Sequence, residues 1–308
     1  GWMVARRVAA GSAPPWFQST GGNRASSLRI RFETFFTTFF AGPPTVAPAR
    51  ASTCRALDMA VTLMCGCASS CTLRSPGRVN LMGRHVDHQG GNCNLMTIGY
   101  ETLMIVRPRE DDLVRLFNID PDRFPDREFT IGEMVEDLPW DDWLSLVNSE
   151  KVSEMVHTHG GDWAQYVKAA VLRLQKKFTT EKLNGMDLVV SGNIPMAAGL
   201  SSSSTLVVGA AEAAVAINNL DTFPAQLVDL CGEGEWFVGT RGGSADHAAV
   251  KFGQKGKVVK VTFFDFSIVD VVPFPSDYAL VVCDSGLKAQ KTGNARDLFN
   301  HRVSCYRI

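Results

Sequence analysis

The hydrophobic pattern of the chain becomes regular only near Ser75. In residues 1–72, neither a helical nor a strand period persists, so no fold is predicted there. After that point, apolar runs of strand length are interspersed with segments of helical spacing. The chain of 308 residues has room for about two domains of ordinary size. We therefore expect the folded core to form from Ser75 onward.

The strands of the regular part follow from alternating and continuous apolar runs. Residues 92–106 are predicted to form paired strands, and residues 186–191 a single strand. The segment 257–283 alternates as further strands, the last of them at 278–283. The charged, proline-punctuated stretch 107–150 is expected to form surface strands and turns.

Helices are predicted where apolar residues recur at three-four spacing. A helix opens after Gly161, with Asp162 as a reasonable cap and an apolar stripe from Trp163 that is expected to pack in the core. Two more helices are predicted at 206–217 and 227–238. A last helix is predicted to start at residue 294.

A turn rich in glycine and serine, residues 192–205, joins the predicted strand at 186–191 to the helix at 206–217. Backbone N–H groups at a helix N-terminus are unpaired, and the helix dipole favours an anion there. Serine hydroxyls can cap the helix, hold a phosphate or ligate Mg²⁺. Four consecutive serines, residues 201–204, are more than a cap needs. The pattern therefore favours a phosphate-binding turn, although it is not a Walker A loop.

A second polar cluster lies in residues 75–91, where charged side chains are packed between glycines. Two Arg, two His and one Asp fall between Arg78 and His88, which is more than a simple turn requires. Glycines let the backbone approach a ligand closely. Arg can clamp phosphate or carboxylate, and Asp can accept hydrogen bonds from sugar hydroxyls. Ligand binding is the favoured interpretation, and a solvated polar loop is the alternative.

A third cluster follows the helix predicted at 227–238, which carries Glu233 and Glu235. Residues 239–247 read Gly-Thr-Arg-Gly-Gly-Ser-Ala-Asp-His. Asp246 therefore comes directly after a glycine turn, where its carboxylate can be presented to a ligand.

Composition narrows the function classes. The formal net charge of -1 gives no argument for nucleic acid or an acidic membrane surface, and no apolar run approaches the roughly 20 residues of a membrane span. Residues 1–72 hold seven Arg, no Lys and two acidic residues, which is typical of an organelle transit peptide; an over-extended reading frame is equally plausible. The scattered cysteines Cys93, Cys231, Cys283 and Cys305 are interpreted as buried thiols in a reducing compartment.

Together these stretches resemble the GHMP sugar kinases, and among them the galactokinases most closely. The segment from Pro76 to Asp87 is similar to that family's sugar-binding signature, and 199–203 is similar to its nucleotide loop. The helix that follows Asp162 resembles a Trp-x-x-Tyr-Val-Lys helix of galactokinases, and 239–246 resembles the segment with the catalytic aspartate. A helix start at 300–305 also matches, so five motifs occur in the family's order.

The resemblance implies an α+β, two-domain GHMP kinase fold with the active site between the domains. Residues 73–275 would form the N-terminal nucleotide- and sugar-binding domain, of the ribosomal protein S5 domain 2-like type. Residues 276–308 would begin a ferredoxin-like C-terminal domain. The family's third motif is absent, so the chain is interpreted as truncated. Residues 1–72 would be an unassigned or disordered extension.

The resemblance also implies an ATP- and Mg²⁺-dependent reaction in which the anomeric hydroxyl of galactose or a related sugar is phosphorylated. Asp246 would orient or accept the proton of that hydroxyl, and Arg78 would stabilise phosphate charge and keep Asp246 ionised. Ser203 and Glu235 would ligate Mg²⁺, Glu235 fitting the family's spacing better than Glu233. The phosphates would be wrapped by the nucleotide-binding residues Pro195, Gly199, Leu200, Ser201, Ser202 and Ser203. The sugar would be bound by Arg84, His85, Asp87 and Phe299.

Four positions depart from the family pattern. Arg84 stands where galactokinases usually have a Glu that contacts the sugar near C6, which suggests a uronic acid recognised by an Arg–carboxylate pair. Alternatively, Arg84 turns to solvent and the sugar is neutral; both interpretations stay open. Phe299 replaces a usual Tyr, and His247 replaces a usual Gln. Ala197 replaces a usual Gly, which is tolerable if its φ is negative.

The main alternative to a kinase is a non-catalytic, galactokinase-like sugar sensor or transcriptional regulator. Such sensors tend to lose residues from the nucleotide loop, whereas 199–204 and Asp246 are present here. The sequence therefore favours the enzyme. Its expected partners are a small-molecule sugar and ATP, with neither nucleic acid nor membrane, and its expected location is cytoplasmic.

Overall fold

A long central strand, β2 (Cys93–Pro108), organises the part of the chain that a computed structural model describes, residues 70–158, 161–283 and 294–305. Strand β1 (Cys71–Met82) pairs with β2 along most of its length. On the other edge of β2, one end pairs with β5 (Met186–Gly192) and the opposite end with β6 (Lys257–Thr262). All three pairings are antiparallel, so β2 connects every part of the sheet.

The remaining strands extend the sheet on both sides. β3 (Leu113–Asn118) runs parallel to β5, and β4 (Arg127–Thr130) lies antiparallel to β3 at one edge. β7 (Ser267–Pro273) pairs antiparallel with β6 at the other edge. Across the described residues the sheet has seven strands in the order β4-β3-β5-β2-β6-β7, with β1 on the free edge of β2.

The described residues contain eight α-helices. In chain order they are α1 (Ile131–Asp137), α2 (Trp143–Asn148), α3 (Glu150–Thr158), α4 (Ala164–Lys177), α5 (Ser202–Asn218), α6 (Pro224–Gly234), α7 (Ala245–Phe252) and α8 (Asn294–Ser304). Short 3-10 turns occur at Asp87–Gln89 and Glu235–Val238. Helices α4 to α7 pack together on one face of the sheet.

The centre of the main core lies where α5 crosses β2. Met104 is fully buried there with Leu188 of β5 and Val171 of α4. Helix α5 is built largely from small residues, and it is enclosed by the sheet and by three neighbouring helices, α4, α6 and α7. A Cβ added at Gly209 would lie only 2.6 Å from the terminal methyl of Met104. Small side chains therefore let α5 approach the sheet closely, which fixes the position of its N-terminus.

Several predicted elements are confirmed. The strand at 186–191 is β5, and the helix at 227–238 is α6 followed by a 3-10 turn. The stripe on α4 is buried in the core, as expected, and Asp162 accepts a hydrogen bond from the Ala164 N–H at 3.0 Å. The mixed α/β sheet with packed helices agrees with the predicted fold class. The domain division at 73–275 and 276–308 stays a prediction.

Three element predictions are wrong. The stretch 107–150 supplies core as well as surface, because it contains β3 and α2 and because Val114 is fully buried. The 92–106 segment is one continuous strand that pairs with β1, β5 and β6, and Arg78 lies on β1 and not in a loop. Residues 278–283 form no strand: no described strand pairs with them, and their apolar side chains are exposed.

The cysteine prediction is half right: Cys93 and Cys231 are buried, whereas Cys283 and Cys305 are exposed. Almost all of the predicted extension, residues 1–69, lies outside the described residues. Within the described ranges, every helix is too short or too polar to cross a membrane.

A buried carboxylate joins three strands on the sheet face opposite α5. The side chain of Asp187, on β5, is 1% exposed. It accepts hydrogen bonds from Arg115 Nε at 2.7 Å, Arg109 Nη1 at 3.2 Å and the Arg107 guanidinium. Burial alone would raise the pKa of Asp187, but the hydrogen bonds from Arg115 and Arg107 outweigh it, so that the pKa lies below its usual value. This carboxylate therefore fixes β2, β3 and β5 together.

Substituting Asp187→Asn should destabilise the protein by about 2 kcal/mol at pH 7, because it removes a buried anion from three cations. A carboxyl whose folded pKa is depressed contributes stability above its unfolded pKa of about 4, and this is lost as pH falls through the folded pKa. Urea denaturation of both proteins should therefore show a difference at pH 7 that shrinks below about pH 4. The exposed Asp111→Asn is the matched control, with little change expected. Equal stabilities at pH 7 would contradict this role.

Candidate active site

The phosphate-binding turn predicted from the sequence lies between β5 and α5. Ala197, Gly199 and Ser201 have φ of 58°, 69° and 65°, so that three left-handed residues coil the chain just before α5. The condition set for Ala197, a negative φ, is not met: Ala occupies a conformation that favours Gly and costs roughly 1 kcal/mol there. Helix α5 then begins at Ser202, with its unpaired N–H groups at the turn.

An ion pair joins the first polar cluster to the third. Arg78 Nε and Nη2 donate to the two carboxylate oxygens of Asp246 at 2.6 and 2.5 Å. Arg78 Nη1 donates to the Gly199 carbonyl at 2.5 Å, and Ser201 Oγ donates to Asp246 Oδ2 at 2.5 Å. The Arg78 and Asp246 side chains are 11% and 28% exposed. The three clusters that the sequence singled out therefore converge on one carboxylate.

Close backbone approach makes this convergence possible. A Cβ at Gly77 would lie 3.2 Å from the Leu200 carbonyl oxygen, and the Arg78 N–H donates to that same oxygen at 3.2 Å. On the other side, Asp87 Oδ2 accepts from the Ala245 N–H at 3.2 Å, where a side chain at Gly243 would clash. Asp87, predicted to bind substrate, thus also holds the N-terminus of α7, the helix that carries Asp246.

The Mg²⁺ ligands predicted from the sequence lie next to each other. Ser203 Oγ donates to Glu235 Oε1 and Ser204 Oγ donates to Oε2, both at 3.0 Å, and Glu235 is 7% exposed. In contrast, Glu233 pairs with Arg173 at 2.5 Å and points away from the serines. This geometry supports the preference for Glu235 over Glu233, and both ligand assignments stay predictions.

The residues predicted to bind sugar lie at the other end of the site. Arg84 is exposed, and its Nε donates to His85 Nε2 at 3.1 Å. Burial, and then the positive charge of Arg84, lower the pKa of His85 below its usual value, so that the ring is neutral at pH 7. The Phe299 ring, on α8, packs edge-on against His85 and His88 at centroid distances of 5.5 and 6.2 Å.

A cleft of about 790 Å³ connects these groups, a volume that is ordinary for a small-molecule site. All the predicted site residues line it except Pro195, which lies on the exposed surface of the turn. The predicted residues that line the cleft are Arg78, Arg84, His85, Asp87, Gly199, Leu200, Ser201, Ser202, Ser203, Glu235, Asp246 and Phe299.

The sequence interpretation missed the apolar end of the cleft. Phe124, Trp163, Tyr166, Met196 and Leu206 line it beyond the serines. The spacing of Trp163 and Tyr166 is that of a buried helical stripe, which favours core packing and does not indicate that they also line a cleft. The only available signal was the resemblance of their helix to one found in galactokinases.

Asn300 belongs to the motif at 300–305, but the sequence indicated no role for its side chain. Its Oδ1 accepts from the Arg241 N–H at 2.9 Å, and its Nδ2 donates to the Gly239 carbonyl at 2.8 Å. These two hydrogen bonds attach α8 to the turn that precedes α7. They thereby place Phe299 against the histidines at the sugar end of the cleft.

Comparison with known protein families identifies two matching regions. Residues 165–254 match the GHMP kinases N terminal domain, and residues 64–108 match the galactokinase galactose-binding signature. The first region contains the serine turn and Asp246, and the second contains Arg78 and the sugar-end histidines. The chain thus carries the two signatures that its motifs resembled.

Individual relatives agree with these matches. The chain is 29% identical over 225 residues to galactokinase of Chloroflexus aurantiacus, covering 72% of this chain and 50% of that protein. It is 31% identical over 214 residues to galactokinase of Roseiflexus sp., covering 69% and 48%. The chain therefore spans about half the length of the curated relatives it matches. A crystal structure of Lactococcus lactis galactokinase complexed with galactose aligns with a TM-score of 0.57 at 22% identity, covering 91% of this chain and 59% of that one, which shows a common fold.

The substitution Asn300→Ala should loosen α8 without unfolding the rest of the chain. Two hydrogen bonds of about 1 kcal/mol each are lost, so amide hydrogen exchange across 294–305 should accelerate by about tenfold or more. Ser304→Ala removes only a hydrogen bond within the same helix, to the His301 carbonyl, and is the matched control. Unchanged exchange in the Asn300 variant would show that other contacts dock this helix.

Proposed function

We propose that this chain, which carries the GHMP kinase N-terminal domain and the galactokinase galactose-binding signature, is an ATP- and Mg²⁺-dependent kinase that phosphorylates the anomeric hydroxyl of galactose or a related sugar. One observation carries the proposal. The carboxylate of Asp246 lies within hydrogen-bond distance of both Arg78 and the serine turn. It lies in a cleft that has residues of the galactose-binding signature at one end and the serine turn at the other.

The nucleotide would occupy the serine end of the cleft. The coiled turn and the N-terminus of α5 suit the phosphates of ATP, since helix N-termini favour anions. The aromatic and aliphatic side chains beyond the serines suit a purine base, with Tyr166 of α4 in that wall. The curated relatives of similar sequence are galactokinases, which is consistent with this placement.

The chemistry of the donor set fits Mg²⁺. Glu235 supplies a buried carboxylate and Ser203 a hydroxyl oxygen, the hard oxygen ligands that Mg²⁺ prefers alongside waters and phosphates. In the part of the chain that the structure describes, no set of three His, Cys, Asp or Glu is placed to hold an ion. The cation would neutralise charge on the phosphates.

The protein's own residues position the reacting groups. Asp246 accepts or orients the proton of the sugar hydroxyl, which makes its oxygen a better nucleophile. Arg78, held by the Gly199 carbonyl, keeps that carboxylate ionised and adds positive charge beside the phosphates. Ser201 fixes Asp246 Oδ2 at the start of α5. Phosphoryl transfer needs mainly such positioning and charge stabilisation.

A uronic acid is the finer substrate proposal. The cations Arg84 and Arg302 line the sugar end of the cleft, where a galactokinase would present a Glu in place of Arg84. An exposed guanidinium can form a bidentate pair with a carboxylate at C6 of the sugar. The cationic character of this end favours an anionic hexose over a neutral one.

Removing the Asp246 carboxylate should abolish turnover in the full-length protein while leaving sugar binding largely intact. Asp246→Ala, and Asp246→Asn, which keeps the shape, should each lower kcat by about 10²–10⁴, since the general base is lost. A coupled ADP-release assay gives kcat, and equilibrium binding gives sugar affinity. Asp270→Ala, an exposed carboxylate on β7, is the control. Unchanged turnover in both Asp246 variants would end its assignment as the base.

Reversing the charge at Arg84 should change which sugar is preferred. Arg84→Glu should raise kcat/KM for galactose relative to galacturonate by about tenfold or more, because the cation for the C6 carboxylate becomes an anion. Arg123→Glu reverses a charge at the opposite end of the cleft and should leave that ratio unchanged. A ratio that does not move in the Arg84 variant would rule out the uronic acid as the preferred substrate.

A further inference from the structure

His247 is a buried polar residue at the centre of the cleft to which the proposed reaction assigns no role. It follows Asp246 in the first turn of α7, is 1% exposed and lines the cleft beside Glu235. Its Nε2 lies 3.0 Å from Glu235 Oε2. Among the described residues, neither ring nitrogen has a partner with hydrogen-bond geometry, so the contact with Oε2 is a close approach and not a formed hydrogen bond.

A buried histidine without hydrogen bonds lowers the stability of the fold, which is unfavourable if its role is only structural. Leaving a buried polar group without a hydrogen bond costs about 1–3 kcal/mol, which an apolar side chain of similar size would avoid. A histidine that serves only the core normally donates or accepts at one of its nitrogens. Donor and acceptor in catalytic sites are often misaligned without substrate and straighten when the site is loaded.

Three side chains that can donate a hydrogen bond surround the carboxylate of Glu235. Ser203 donates to Oε1, Ser204 donates to Oε2, and His247 faces Oε2 from α7. The serines belong to α5, so that the carboxylate lies between the phosphate turn and the helix that carries Asp246. Carboxylates that ligate metals are usually oriented in this way by donors behind them.

We propose that His247 is a positioning residue: its Nε2–H holds Oε2 of Glu235 and fixes the carboxylate in the orientation that binds the divalent cation. This inference rests on the proposed function, because it requires that Glu235 bind a cation together with a nucleotide. It assigns His247 no contact with sugar or phosphate. Its effect should therefore fall on cation affinity and not on sugar affinity.

The direct test is Mn²⁺ binding to the full-length protein in the presence of ADP, measured by electron paramagnetic resonance of free Mn²⁺. His247→Leu removes the donor and preserves bulk, and it should weaken Mn²⁺ binding by about 10-fold, the lower end of what loss of such a donor costs. His247→Gln supplies an amide N–H and should restore most of the affinity. Val250→Ala, a core truncation on the same helix, should lower thermal stability and leave Mn²⁺ affinity unchanged.

Steady-state kinetics provide a second reading of the same variants. The Mg²⁺ concentration for half-maximal rate should rise in His247→Leu while the KM for sugar stays unchanged. An equal loss of Mn²⁺ affinity in His247→Gln, or an unchanged affinity in His247→Leu, would overturn the proposal. A wild-type protein that binds neither Mn²⁺ with ADP nor sugar would instead overturn the proposed function.

A measurement on the wild-type protein covers the case in which the leucine variant does not fold. Nitrogen-15 chemical shifts of the histidine rings distinguish the two neutral tautomers, and His247→Gln identifies the signal. In the presence of Mg²⁺ and ADP, the proposal requires a proton on Nε2 of His247. A ring protonated on Nδ1 alone would overturn it.

Discussion

The two-point ion pair between Arg78 and Asp246 is the interaction on which the rest of the site depends. Its members come from β1 and from the first turn of α7, and the same guanidinium also binds the Gly199 carbonyl of the serine turn. A bidentate, largely buried Arg–carboxylate pair is both stronger and more directional than an exposed pair. Losing either partner would leave a charge in the cleft without its main counterion. Three segments far apart in sequence are thereby held in one geometry.

The sheet and α5 provide the rigid support that this geometry needs. Strand β1 reaches the serine turn because Gly77 lets it pass close to the Leu200 carbonyl. Helix α5 reaches the same place because its small residues seat it deeply on β2. The Asp187 cluster fixes β2, β3 and β5 on the opposite face. Since these constraints act on different strands, the residues of the candidate site are placed by packed secondary structure and not by loops alone.

Much of the fold and of the candidate site could be predicted from the sequence, because the patterns that indicate them lie within short stretches of the chain. The strand–turn–helix around 186–217 and the stripe on α4 could be predicted from spacing, and the polar clusters from composition. The left-handed φ of Ala197 could not, because the cost of strain there is offset by contacts elsewhere. The exposed 278–283 segment has the alternation of a strand, but strand formation requires a neighbour. The contacts of Asn300 and His247 could not be predicted either, because their partners are 59–61 and 12 residues away in the chain.

The central claim is that the carboxylate of Asp246, the serine turn and the Arg78 strand surround one reacting hydroxyl and one phosphate chain. A crystal structure of the full-length protein with sugar, Mg²⁺ and a non-hydrolysable ATP analogue tests it most directly. The account predicts the anomeric hydroxyl within about 3.2 Å of an Asp246 oxygen, and the terminal phosphates against residues 199–203. Phosphates bound away from that turn, or a sugar whose anomeric hydroxyl faces away from Asp246, would contradict it.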